Sequence, residues 1–304
     1  MIFNNKFFRF VNQNRNIIIL VIVICAFIVL LIKTLNGFFS NPQVKNEDNQ
    51  NNISNDVQKT KNSVISNSTL DNKTAQDNYD VLKKFVQLCN ENNIEEAYNL
   101  LSDECKQNVY PNLEGFTQNY VNIVFKNKKN LEAKNWIEYE DYVTYLVTYT
   151  GDIISTGDVN SEKFQDYITI DCESNKLNIN KYIRRKQINK TTEKNNIKFT
   201  MNYVDIYKDY EIYNVDVENK NNKEIVLDNL TSVSGTYIET SEDTKINCSN
   251  YEAGRNNFTY GPGISKNMKL KFIKQYNTDI EDKKIIFSTA ILNEDNVEEI
   301  DLEL

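Results

Sequence analysis

FVQLCNENNIEEAYNLLSDECKQNVYPNLEGFTQNYVNIVF, residues 85–125, carries the pattern on which the fold reading turns. With the residues just before it, Val81, Leu82, Phe85, Leu88 and Cys89 recur at three- and four-residue spacing. That spacing places them on one stripe of a helix. Asn92-Asn93 interrupts the stripe, and Ile94, Ala97, Tyr98 and Leu101 begin a second one that ends at Ser102-Asp103. After Pro111 a third follows in Leu113, Phe116, Tyr120, Ile123 and Val124. The period then changes to two. Val143, Tyr145, Val147 and Tyr149 alternate with Thr144, Leu146 and Thr148. Phe164, Ile168, Ile170 and Cys172 continue the alternation, Leu177, Ile179 and Ile183 close it, and residues 131–137 supply a further strand. Three helices followed by about four antiparallel strands imply an α+β domain over 77–186, with its helices on one face of the sheet.

Within this stretch AYNLLSDECKQ and the later F-x-x-x-Y of Phe116 and Tyr120 resemble the nuclear transport factor 2-like superfamily. The resemblance covers about 110 residues and rests on packing positions. It implies three helices wrapped by a long curved antiparallel sheet that forms a cone. Members of that superfamily serve as enzymes, as small-ligand modules and as silent parts of envelope machines, so the fold leaves the function open. If the cone is a cavity, Tyr120, Tyr145, Tyr149 and Asp152 are its candidate lining, because Tyr and Asp polarise and abstract protons without His. Tyr on a strand equally packs well for its own sake, and no catalytic residue is assigned.

Beyond the first domain, RRKQINKTTEKNN (residues 184–196) is polar and reads as a boundary and linker. Short alternating segments follow at 197–206, 210–218, 224–230, 233–239, 266–273, 284–292 and 297–304, a spacing that fits an all-β sandwich over 197–304. YEIYNVDVENKNNKEIVLDN and KLKFIKQYNTDIEDKKIIFSTAIL resemble bacterial immunoglobulin-like modules. Gly261-Pro262-Gly263 reads as a turn; no helix start follows it that could cradle phosphate.

Toward the N-terminus, IIILVIVICAFIVLLI (residues 17–32) is an unbroken apolar run. Its sixteen residues rise about 24 Å as a helix, and extension to Phe39 approaches the ~30 Å of a bilayer core. Lys6, Arg9 and Arg15 precede it, which predicts a cytoplasmic tail at 1–16, a transmembrane anchor at 17–39 and extracellular domains. The run is longer than a signal-peptide core, and no small-residue cleavage site follows. Residues 40–76 are polar and aperiodic, as expected of a disordered linker. The localisation expected is thus the cell membrane, single-pass.

Composition narrows the chemistry. The 304 residues include no His, which removes Ser-His-Asp and Cys-His catalysis and His-ligated zinc. The net charge is −8 and the basic N-terminal segment makes the remainder more acidic still, which argues against nucleic acid. Abundant Asn, Lys and Ile match AT-rich coding, as in a low-GC Gram-positive bacterium. Cys89, Cys105, Cys172 and Cys248 form no C-x-x-C pair. Cys89 and Cys105 fall on neighbouring helices and could meet; burial as free thiols is the plainer reading for all four. Acidic clusters at Glu239, Glu242 and Asp243 and from Glu294 to Asp301 lack the ligand spacing of a calcium loop. No metal and no cofactor is expected. The sum is a non-catalytic, membrane-anchored scaffold or assembly protein of a cell-envelope process, such as conjugation or secretion, with protein partners. Homo-oligomerisation stays open, and the alternative is a sensor that binds a small ligand in the cone.

Overall fold

The computed structural model describes residues 72–139, 141–151, 163–228, 235–249, 255–293 and 296–304. The expected tail, anchor and most of the linker, residues 1–71, lie outside them. No helix among the described residues is long and apolar enough to cross a membrane.

A mostly β architecture replaces the expected α+β class. One helix is long, α1 (Asn72–Asn90), and it buries Leu82, Phe85, Val86, Leu88 and Cys89. The rest of the helical layer is broken into short pieces: α2 (Ile94–Asn99), α3 (Asp103–Asn108), and α4 (Leu113–Phe116), which runs through a turn of π-helix at Thr117–Val121 into α5 (Asn122–Val124). Ser102 explains one break. Its hydroxyl accepts from the Cys105 amide at 2.9 Å and so starts α3 afresh. The sheet beneath has the order β1 (Lys129–Glu138), β2 (Tyr142–Gly151), β3 (Phe164–Asp171) and β4 (Leu177–Asn178). Its fourth strand is only two residues long, so no long sheet wraps the helices. Three comparable helices in a nuclear transport factor 2-like cone are therefore not what forms.

The reason for the short fourth strand is a tight turn. Asn180 and Lys181 have φ of 58° and 64°, and the Tyr182 amide donates to the Ile179 carbonyl at 3.2 Å. Positive φ at both central residues is the type I′ geometry. The turn sends the chain into β5 (Tyr182–Lys194), which pairs with β6 (Ile197–Tyr207) rather than with the first sheet. Residues 184–194, expected to be linker, are strand. Asn195 and Asn196, at φ of 55° and 57°, make a second two-residue turn of the same hand. Asn holds six of the eight non-glycine positions with positive φ among the described residues. A chain with 8 glycines uses Asn, whose short polar side chain tolerates this region.

The second sheet has the order β12 (Ser265–Ile273), β7 (Tyr210–Asn219), β6, β5. A third runs β10 (Lys245–Asn247), β9 (Thr236–Thr240), β13 (Asp282–Asn293), β8 (Ile225–Val226), β11 (Thr259–Tyr260), with β14 (Asn296–Glu303) paired to β13. Phe199 on β6 stacks on Phe287 of β13, ring centroids 5.9 Å apart, inside a core shared by these two sheets.

The second sheet has two working faces. Ile183, Val204, Tyr213 and Val215 point into the core shared with the third sheet, whereas Tyr182, Tyr207, Tyr210 and Ile212 join the core under the helices. At that junction Arg185 grips Asp205: Nε to Oδ1 at 2.9 Å and Nη2 to Oδ2 at 3.0 Å. The same guanidinium donates to Gln107 and Asn108 at the end of α3 and lies 3.6 Å from the centroid of the Tyr203 ring. Removing one partner of a buried ion pair typically costs about 3–5 kcal/mol. Arg185→Met is expected to lose stability of that order in urea denaturation, and Arg185→Lys, which cannot bond bidentately, a substantial part of it.

Candidate functional site

The residues singled out from the sequence come together, but as core. Tyr120, Tyr145 and Tyr149 are at most 2% exposed. Asp152 lies outside the described residues. The Tyr120 hydroxyl donates to Asp166 Oδ2 at 2.8 Å and sits 3.1 Å from the Tyr149 hydroxyl. Tyr145 accepts from Asn78 of α1 at 3.2 Å. Phe85, Phe116 and Phe125 pack their rings against Tyr120, and Phe125 also against Tyr149. The space that a cone would leave open is filled by aromatic side chains.

Asp166, which the sequence reading passed over, explains this arrangement. Besides Tyr120 it accepts from the Tyr167 amide at 2.7 Å, the Asn180 amide at 2.9 Å and the Lys181 amide at 3.0 Å. The last two are the central amides of the type I′ turn. Burial raises the Asp166 carboxyl above its ordinary range, and these donors oppose the shift. Its chemistry is structural: it holds the turn and the tyrosines in place. Only its spacing from Ile168 and Ile170 on the same strand could have hinted at an inward carboxylate.

A second cluster lies at the other junction. Between β5 and the β12–β13 connection a groove of about 610 Å³ opens. In its wall Lys274 Nζ reaches Glu211 Oε1 at 3.1 Å and Asp282 at 2.6 and 2.7 Å. The Tyr213 hydroxyl donates to Asp282 Oδ2 at 2.6 Å and lies 3.3 Å from Glu211 Oε2. The side chains of Glu211, Asp282 and Lys274 are 6%, 9% and 11% exposed. One ammonium thus serves two carboxylates. Burial and then the neighbouring Asp282 charge push the Glu211 carboxyl up to about 8, so that it keeps a proton at neutral pH. Tyr139 and Tyr276, and Arg184, Lys186 and Lys190 from β5, also line the groove, with the Arg184 guanidinium 5.7 Å from the centroid of the Tyr139 ring. Among the described residues no group of three or more His, Cys, Asp or Glu is placed to hold a metal ion.

All four cysteines outside residues 1–71 are free thiols, and no disulfide joins Cys89 to Cys105. Burial pushes both up to about 12. Cys172 is half-exposed. In a Cys25→Ser chain, iodoacetamide is expected to alkylate Cys172 well before the other three, which react only as the protein opens; peptide mapping against time checks the order.

The described residues thus define a class: a mostly β protein with a filled tyrosine-rich core and an open, charged groove beside β5. No protein-family model matches the chain, and no curated protein does. A solved structure of a conserved hypothetical protein from Bacillus anthracis aligns with 38% of this chain and 96% of its own, at 12% identity and a TM-score of 0.26. A likeness this slight carries no argument.

The Glu211 cluster has a pH signature. Its folded-state value lies above the ordinary 4.5, so between about pH 4.5 and 8 the folded chain binds more protons than the unfolded one. Stability is then greatest at the acid end of that window and falls as pH rises through it, by on the order of a few kcal/mol. Thermal melts from pH 5 to 8.5 are expected to show a falling Tm, and Glu211→Gln to flatten the slope. An unchanged slope in that variant would assign the proton elsewhere.

Proposed function

We propose that the described part of the chain is a non-catalytic recognition module that engages a protein partner through the groove beside β5. One observation carries this reading: the tyrosines that could have lined an enclosed pocket are hydrogen-bonded inside a filled core, Tyr120 to Tyr149 and Asp166 and Tyr145 to Asn78. Charged and aromatic groups, among them Arg184, Lys186, Lys190, Tyr139 and Tyr276, line the open groove instead. The assembly role expected from the domain plan agrees with this surface. Ligand sensing in a cone draws no support from the described residues, because Tyr120, Tyr145 and Tyr149 have no space before them. Lys186 and Lys190 strengthen the recognition reading, since neither has an ion-pair partner among the described residues. Unpaired cations on a groove rim steer and orient an approaching partner.

The test starts with a photo-crosslinking residue at position 190 in the full chain, in its native cell, followed by purification of the captured protein and rebinding in vitro. The double variant Lys186→Glu with Lys190→Glu is expected to weaken rebinding at least about tenfold, and Lys134→Glu on β1 to leave it unchanged. Rebinding indifferent to charge reversal in the groove would overturn the proposal.

A further inference from the structure

Among the ion pairs of the described residues, those in which both side chains are at most 11% exposed belong to two cations, Arg185 and Lys274. The two differ in the chemistry open to them. A guanidinium keeps its proton and stays an ion, whereas a lysine amine that gives up its proton is a nucleophile. Lys274 Nζ lies 2.6 Å from Asp282 Oδ1 and 2.7 Å from Oδ2, and these near-equal distances put it opposite the carbon that joins the two oxygens. Glu211 Oε1 meets the same nitrogen at 3.1 Å, and Glu211 is within hydrogen-bonding reach of Asp282 as well. The Tyr213 hydroxyl donates to Asp282 Oδ2 at 2.6 Å. An amine, a carboxyl carbon, a second carboxyl and an O–H donor thus meet at one point.

The chain path places them there. Lys274 directly follows β12 in the second sheet, and Asp282 is the first residue of β13 in the third. Glu211 and Tyr213 come from β7, the strand paired with β12. Strands therefore hold the reacting groups in contact without any rearrangement of the chain, which removes most of the entropic barrier to their reaction. Burial supplies a drive in the same direction. An ion pair out of water carries the desolvation cost of both charges, and joining nitrogen to carbon removes both and leaves a neutral amide. The groove beside the cluster gives the released water a way out.

We propose that Lys274 and Asp282 become joined by an amide bond, Nζ to Cγ, which the folded chain forms by itself. The ammonium first passes a proton to Asp282 Oδ1. The amine then attacks Cγ, and the C=O electron pair moves onto Oδ2, where the Tyr213 O–H steadies it. Glu211, in its acid form, takes the proton on nitrogen at one oxygen and delivers its own to Oδ1. The electron pair returns from Oδ2, the Cγ–Oδ1 bond breaks, and water leaves. In sum one ammonium and one carboxylate are consumed and one amide and one water are formed; Glu211 ends as it began, and nothing is oxidised or reduced. Afterwards the amide N–H has Glu211 as its acceptor and the amide oxygen keeps the Tyr213 donor. The bond ties the second sheet to the third and closes the connection 275–281, whose Tyr276, Thr278 and Ile280 line the groove. It forms once per chain and does not depend on a partner in the groove. Burial, the leading cause of the raised Glu211 value, is unaltered by it, so the pH dependence of stability keeps its sign.

Intact-mass spectrometry of the purified, reduced full chain tests this. The expected mass is below the sequence mass by one water, about 18 Da. Trypsin is expected to fail after Lys274, so that residues 272–283 emerge as one peptide lighter by the same amount. Lys274→Arg, which keeps the charge and cannot condense, is expected at its full mass. Glu211→Gln, verified to melt cooperatively and purified beside the wild type, is expected to carry at least about tenfold less of the bond. A folded wild-type chain that stays at its full mass at pH 7 overturns the inference. So does a lost water found in a peptide that trypsin cuts normally after Lys274, which is cyclisation of an Asp side chain onto its own backbone. An equal share of the bond in Glu211→Gln overturns the route through that carboxyl.

Discussion

The Arg185 guanidinium is the contact on which the two halves of the molecule depend. It donates twice to Asp205 on the neighbouring strand and once each to Gln107 and Asn108 at the end of α3. Asp205 in turn accepts from the Tyr182 hydroxyl at 3.0 Å and the Asn108 amide at 3.1 Å. Burying a charge is costly unless every lone pair and proton has a partner. Here the planar fork of Arg and the two oxygens of Asp meet that condition, and the helix end closes the remainder. The helical layer is thereby seated on the outer face of a sheet whose inner face is already used by the third sheet. Ser102 reinforces the seat: its hydroxyl donates to Asn178 at 2.5 Å, and Asn178 donates to the Ile183 carbonyl at 2.7 Å. Capping a helix and fixing the start of β5 are thus one network.

Periodicity in the sequence marks individual elements well and their assembly poorly. Most residues of the three apolar stripes are buried, though Leu113 and Ile123 are exposed, and the alternating segments after residue 197 fall on observed strands. What the stripes could not tell is how long each helix is: the second stripe stops at Ser102, which caps α3, while the π-helical turn at Thr117–Val121 divides the third without interrupting its apolar spacing. The polar run at 184–196 misleads for a definite reason. Strand β5 is at the edge of its sheet, and past Ile183 its side chains are half-buried or exposed. It therefore has no alternating apolar signal to read, and its one buried pair, Arg185 with Asp205, is polar. The Asn195-Asn196 pair that closes this run was a visible turn signal, yet a turn between two strands and the end of a linker have the same composition.

Candidate site residues show the same division. That Tyr145 and Tyr149 share a strand face is written in their spacing; whether a face borders a cavity or a packed interior is not. The answer lies in Phe85, Phe116 and Phe125, which arrive from the helical layer and fill the space. Asp166 was hidden for the converse reason. A carboxylate in an apolar strand is legible, but its role depends on two amides of a turn fourteen and fifteen residues away.

Counting donors then separates the buried acids of this protein by what they do. Asp166 has four hydrogen bonds and Asp205 four, two of them from a guanidinium, so each oxygen is provided for by the fold alone. Glu211 and Asp282 are nearly as buried, yet one lysine and one tyrosine hydroxyl serve both. A fold selected only for stability would do better to replace such a pair with apolar side chains of similar size. Its position is what differs: Asp166 and Asp205 are sealed between layers, while Glu211 and Asp282 line an open groove.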